Sequence, residues 1–486
     1  MWRVSVIAPW PRPANARMMA THSHEERAMA AYPATERIAR FVVETTLDTV
    51  PSAAVDTAKT AFTDSLGVAL AGSQDGAGTL AAGIARDEGA REEASVIGHG
   101  FRTSSQQAAF ANGVAAHALD YDHSFNTGGQ PMAPVIPAAL ALAEALGTSG
   151  RRLLEAYIVG FEVTAKISQS LYTTPQYAWH APSTMGVLGA TAACAKLLEM
   201  PVDQTCHALG VAVSMAGGVE ANFGTMTKPL HVGHAARNGV LAARLAASGF
   251  TANPEAIEAD VGFYDAYYRF IPGGDSPLDS LGRSWELVDS GLRIKAYPCG
   301  GLAHTAIDAA LSLRAAHFTS GIRADVIESI DVEVTQRILD RIVFGIPRTE
   351  LEGKFSMPYL IGRALVSGRV GLDAFTDEAI QDRTVVAVAE KVQMRLGADL
   401  KSSKAGRPAR VTVLLRDGRT LSQQVDAAKG GDVVPMTTDE IRAKFHECAG
   451  QAITPASADL LLDAIGRLET AAELQPLTGL LRGEAA

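Results

Sequence analysis

The chain is poor in the residues and signatures that announce most functions. Only four of its 486 residues are cysteine, Cys194, Cys206, Cys299 and Cys448, and no two form a Cys-x-x-Cys pair. That spacing argues against a disulfide scaffold and fits a reduced, cytoplasmic protein. Charged residues make up 20%, against roughly a quarter in an ordinary globular chain. A large buried fraction or a large subunit interface accounts for the difference. The net charge is −10, which favours neither nucleic acid nor an anionic membrane as a partner. No apolar run reaches the roughly 18–20 residues of a membrane helix. Walker loops, a Rossmann glycine fingerprint, Gly-x-Ser-x-Gly, Ser-x-x-Lys and His-Glu-x-x-His are all missing, so nucleotide, flavin and common hydrolase chemistry have no support.

What remains is rich in helix. The first 33 residues carry Arg3, Arg12 and Arg17 and no acid before Glu25. They read as a disordered or mis-assigned extension, with a targeting segment as the alternative. From Thr35, a possible N-cap, the apolar residues recur at helical spacing. "PAALALAEALG" ends on a glycine suited to a helix C-terminus. "GRRLLEAYIVGFEVTAKISQSLY", "GVLGATAACAKLLEM" and "VGHAARNGVLAARLAASGF" are apolar on most faces and rich in Ala and Gly, as in closely packed buried helices. The character changes after "GGDSPLDSLG", a linker-like stretch. "IESIDVEVTQRIL" alternates like a strand, and "ARVTVLLRDGRTLSQQV" reads as a hairpin about Asp417-Gly418. "TTDEIRAKFHECAG" and "SADLLLDAIGRLETA" are helices with capped starts. The expected fold is mainly α: a helical domain over 34–273, an α+β lid over 274–434 and a helical C-terminus over 435–486.

Polar residues gather in four places. They are "HALDYDHSFNTGGQPMAP", "YAWHAPSTMG", "GTMTKPLHVGHAARNG" and "RIKAYPCGGLAHTAID". Three lie where a loop meets a helix N-terminus, a position that binds anions. Lys228 and Lys295, in surroundings nearly free of other charge, would make a carboxylate pocket and polarise an enolate-like intermediate. His231 and His234 have zinc-ligand spacing, but no third ligand lies near them, and no metal is expected. His117 and His207 read as core histidines. Cys299 reads as a small loop residue rather than a nucleophile paired with His304.

Taken in order, "NGVAAHALDYDHS", "GFEV", "WHAPSTMGVLGA", "GTMTKPLHVGHAARNG", "KAYPCGGLAHTAID" and "GKFSMPYLIGRAL" resemble the MmgE/PrpD family, which includes 2-methylcitrate dehydratase, cis-aconitate decarboxylase and iminodisuccinate epimerase. The resemblance runs from about residue 36 to 480. It implies a homodimer, a helical domain built from both ends of the chain, and an active site between that domain and the lid that needs no cofactor. By position it places Asp120, Ser124, His180, Lys228, Lys295 and Tyr359 in the pocket. Two departures stand out. His123 takes a place where relatives often carry Asp. Gln130 takes the place of a histidine proposed as proton carrier in the decarboxylase branch, and an amide cannot transfer a proton near neutral pH. His123 either supplies the missing acid–base group or fills a loop.

The expected activity is a lyase reaction on a small hydroxy di- or tricarboxylate. His180 acts as base or acid, Lys228 and Lys295 stabilise the aci-carboxylate, Tyr297 or Tyr359 protonates the leaving oxygen, and Asp120 orients a partner. An epimerase, a cis-aconitate-type decarboxylase and a non-catalytic carboxylate binder are the alternatives.

Overall fold

The computed structural model describes residues 33–125, 130, 132–171, 179–268, 276–403 and 406–483; the N-terminal 32 residues lie outside them. Two large hydrophobic cores organise the described residues, with two small clusters beside them. The first is helical. Helices Ser52–Ser73, Ser105–Ala118, Val135–Leu146, Gly150–Ser170, Gly186–Leu197 and Thr227–Ala247 build it. C-terminal residues Phe445, Leu461 and Leu481 are buried in the same core.

Small residues set the spacing of these helices. A Cβ on Gly113 would lie 2.8 Å from Gly233 Cα, and one on Gly189 would lie 1.8 Å from Thr164 Oγ1. These pairs hold Ser105–Ala118 against Thr227–Ala247 and Gly150–Ser170 against Gly186–Leu197 at backbone contact. The Gly/Ala-rich composition thus produces a tight bundle with little room for charge. The first of these contacts also fixes function. Four residues beyond Gly113 is His117, and five before Gly233 is Lys228, so the crossing brings those two side chains together.

Strands β1 (Ala94–Val96) and β2 (Phe101–Thr103) pair with each other, and the second core lies under a separate four-stranded sheet. Strand β3 (Ile327–Val334) runs parallel to β4 (Val392–Leu396) and antiparallel to β5 (Ala409–Leu415), which pairs antiparallel with β6 (Thr420–Val425). The β5–β6 turn is the expected Asp-Gly, with Gly418 at φ +88°. Helices His304–His317 and Met357–Ser367 pack into that core, joined by Val385 and Val388 of the helix Arg383–Ala389.

Some local expectations change. Helix Ala34–Glu44 starts at Pro33, and Thr35 instead donates from its N–H and hydroxyl to the Glu258 carboxylate. The alternating run ends at Val334, because Thr335 opens a short helix, Gln336–Arg341. A two-stranded hairpin, Ala94–Val96 with Phe101–Thr103, sits within the helical part. Its three-residue strands are too short to show a period. No helix among the described residues is long and apolar enough to cross a membrane. The four cysteines are free and buried.

Candidate active site

Helix Ser105–Ala118 ends at the site. Two residues on, Asp120 has φ +51°, a left-handed conformation that Asp tolerates better than most side chains. Three ammonium groups hold this turn by its carbonyls. Lys354 Nζ donates to Ala118 O at 3.2 Å, Lys295 Nζ to Asp120 O at 2.6 Å and Lys444 Nζ to Tyr121 O at 2.8 Å. Carbonyls at a helix C-terminus are the negative end of its dipole and attract cations.

The Asp120 carboxylate is the hub. Its Oδ1 accepts from Lys228 Nζ at 3.0 Å, Lys295 Nζ at 2.8 Å and Gln130 Nε2 at 3.1 Å. Burial pushes this carboxyl up, but the two ammonium groups outweigh burial and hold it well below the ordinary carboxylate range. Lys228 Nζ also lies 2.8 Å from His117 Nε2, and His117 Nδ1 lies 2.9 Å from Asp122 Oδ1. Asp122 fixes the tautomer: Nδ1–H donates to it, and Nε2 accepts from Lys228. Burial keeps the His117 ring neutral, against the pull of Asp122. The result is a chain of carboxylate, imidazole, ammonium, carboxylate and ammonium. Ligand-type atoms of His117, Asp120 and Asp122 lie within 4.8 Å of one another. The Lys228 ammonium bonds two of the three groups and competes with a cation for that place.

His180 N-caps the one-turn helix Ala181–Thr184, with its N–H on Gly218 O at 3.0 Å. Its Nδ1 lies 3.0 Å from His231 Nδ1, and its ring meets Phe223 edge-on, centroids 5.1 Å apart. Burial first, and then the Lys228 charge, push its pKa well below the ordinary histidine value.

These groups border a cavity of about 220 Å³ between the two cores. Asp120, Ser124, Gln130, His180, Lys228 and Lys295 line it. The other three candidate residues lie elsewhere. Tyr297 donates its hydroxyl to Asp308 Oδ1 at 2.5 Å. Tyr359 is wholly buried in the second core and donates to Ala374 O. His123 places its N–H 3.0 Å and its Nδ1 3.3 Å from Asp64 Oδ2, behind the cavity. The loop-filling reading of His123 fits that position. Cys299 is buried and burial pushes its thiol up, as a packing residue.

Sequence reasoning passed over several neighbours. His117, read as a core histidine, is buried but bonds Lys228. His304 and the cations Arg293, Arg337, Arg341, Arg407 and Lys429 also line the cavity. Arg337 and Arg341 are i,i+4 on the short helix after β3, a spacing that puts both on one face. The strand reading of that stretch hid this.

Residues 36–270 match the MmgE/PrpD N-terminal domain and residues 297–469 the MmgE/PrpD C-terminal domain. The chain belongs to the MmgE/PrpD family. Among relatives of this MmgE/PrpD protein, cis-aconitate decarboxylase of Mus musculus is 30% identical over 394 residues, covering 79% of this chain and 80% of the relative. The Homo sapiens enzyme of the same name is 30% identical over 386 residues, 77% and 79% of the two chains. Cis-aconitate decarboxylase-like protein oryM of Aspergillus oryzae is 28% identical over 480 residues, 93% and 97%.

Proposed function

We propose that this MmgE/PrpD protein is a cofactor-independent lyase, a dehydratase of a small hydroxy di- or tricarboxylate. The observation that carries this reading is a pair of lysines, Lys228 and Lys295, bonded to one carboxylate at the wall of a cavity that His180 also lines. His180 removes the proton α to a substrate carboxylate. The C–H electron pair moves into that carboxylate, and the resulting aci-carboxylate dianion lies against the ammonium groups, where preorganised charge lowers the barrier most. The pair then returns to form C=C as the β C–O bond breaks, and the hydroxyl leaves with one proton as water. Tyr297 and Tyr359 are engaged elsewhere, so a lysine ammonium is the acid that the cavity offers.

A second reading is favoured by the names of the relatives. In cis-aconitate decarboxylation the same pocket would hold the electron pair left by C–C cleavage, with CO₂ departing and a proton delivered to carbon. Gln130, bonded to Asp120 and unable to carry a proton, speaks for dehydration. Proton NMR in deuterated buffer with 2-methylcitrate, citrate, cis-aconitate, malate-type acids and iminodisuccinate separates the readings. The expected result is alkene growth from a hydroxy acid. Loss of cis-aconitate with CO₂ release would establish the decarboxylase instead, and deuterium uptake without alkene an epimerase.

His180→Gln should lower kcat by about 10²–10⁴-fold, the usual worth of a positioned acid–base group. Since burial and the Lys228 charge push this ring below the ordinary histidine value, the acid limb of wild-type kcat should lie below the pH at which a free histidine titrates. Unchanged turnover in His180→Gln would remove the base assignment.

A further inference from the structure

His231 is the group on the Lys228 helix that this mechanism leaves idle. It is buried, one turn after Lys228 on Thr227–Ala247. Its Nδ1 meets His180 Nδ1 at 3.0 Å, the rings tilted by 55° with centroids 5.2 Å apart. The contact is built in. Gly218, at φ +97°, lies flat against the His231 ring, where a Cβ would come within 3.0 Å of Cγ, and the carbonyl of this glycine accepts the His180 N–H. One short segment therefore sets both rings.

Two neutral imidazoles that face each other through Nδ1 share one proton. If His180 Nδ1–H donates, the His180 Nε2 carries a lone pair and can act as a base. If His231 Nδ1–H donates, His180 must carry its proton on Nε2 and can act only as an acid. We propose that His231 sets the tautomer of His180 and stores the proton that His180 removes. When His180 Nε2 takes the substrate proton, the His180 N–H bond at Nδ1 breaks and that proton passes to the His231 Nδ1 lone pair. His180 is then neutral again with its proton on Nε2, and the positive charge rests on His231. The Lys228 ammonium repels charge on either ring. The groups facing the pair are Lys228, His117 and Asp120, with His234 beyond His231. Lys228 and His117 disfavour charge on either ring, so the Nδ1–Nδ1 contact lets two rings share a proton that neither holds well alone.

This rests on His180 as the base. The test is kcat and KM of His231→Gln and His231→Asn from pH 5 to 9 with the substrate found by NMR, His180→Gln alongside and thermal melts as a folding control. Both His231 variants can hydrogen-bond His180 but cannot take its proton. We expect kcat to fall about 10–100-fold with KM within threefold. We also expect the acid limb to move to lower pH, because the pair then has one ring instead of two on which a proton can rest. Wild-type kcat with an unmoved limb overturns the proposal. A uniform loss with a risen KM and an unmoved limb also overturns it, assigning His231 to structure alone. If His180→Gln itself is fully active, the base assignment fails, and that result is separate from any His231 outcome.

Discussion

Replacing Lys228 by methionine should lower kcat by about 10³-fold while KM changes little. Deleting one preorganised donor aimed at developing charge typically costs about 10²–10³ in kcat, and Lys228 does more than donate once. It is the link between His117 and Asp120, at 2.8 and 3.0 Å. Phe223 and Phe355 flank its ammonium, ring centroids 5.6 and 5.8 Å away, and keep water from it. Methionine is close to lysine in length and carries no charge, and Lys295 and Gln130 still bond Asp120, so the fold should stand. Arg at this position should not rescue. Its planar fork is larger than an ammonium and cannot meet an imidazole nitrogen and a carboxylate in the same narrow place. The measurement is steady-state kinetics of K228M and K228R with a melt as control. Turnover within tenfold of wild type in K228M would mean that Lys228 only neutralises Asp120, and that the aci-carboxylate is held by Lys295 and the arginines.

The sequence made the front of the site legible and hid its back. Lys228, Lys295, His180 and Asp120 stood out because polar residues at loop-to-helix junctions break a local pattern. The supports follow the pattern and vanish in it. Asp64 lies within the long helix Ser52–Ser73, the one charge between Lys59 and Asp75; that isolation was the available signal. Lys444 sits in "TTDEIRAKFHECAG", where charges abound, and looks like surface. Yet it is three residues after Ile441 and four before Cys448, on the stripe that faces inward. His117 was read from its apolar neighbours, which were right about burial and silent about bonding. The tyrosines illustrate the opposite error. Tyr297 and Tyr359 lie in the right motifs, but a motif gives proximity in sequence and not the direction of a hydroxyl. Only the fold shows that Asp308 and the Ala374 carbonyl already take those protons. The helical and α+β parts were readable from their periods, whereas the parallel strand β4 and the two short strands before Ser105 carry too few residues to show one.

Lys444→Met should be the most destabilising single change behind the site, by about 3–5 kcal/mol, the cost of stripping one partner from a buried ion pair. Lys444 Nζ bonds Asp64 Oδ1 at 2.6 Å, Tyr121 O at 2.8 Å and Lys295 O at 3.0 Å, with Tyr121's ring 3.9 Å below it. One ammonium thus joins a C-terminal helix, the turn that carries Asp120 and the strand-like segment that carries Lys295. Without it the Asp64 carboxylate is buried beside His123 alone. Burial pushes that carboxyl up, but the Lys444 charge and then His123 outweigh burial, and its pKa in the folded protein is lowered. A lowered carboxylate pKa means stability that is present above the unfolded value, about 3.9, and is lost as pH falls through the folded one. Wild type should therefore lose part of its stability below pH 4, and Lys444→Met should show less of that acid dependence. Denaturant midpoints across pH 3–8 would measure both. The double variant Asp64→Asn/Lys444→Met separates charge from tethering. Removing both charges should recover at least half of the lost stability, because no uncompensated ion remains. It should not recover kcat, because the carbonyls of Tyr121 and Lys295 stay untethered and Asp120 and Lys295 lose their mutual placement. If the double variant regains both stability and turnover, Lys444 serves only to neutralise Asp64, and the positions of the two catalytic groups are set by the lysines on Ala118 O and Asp120 O without it.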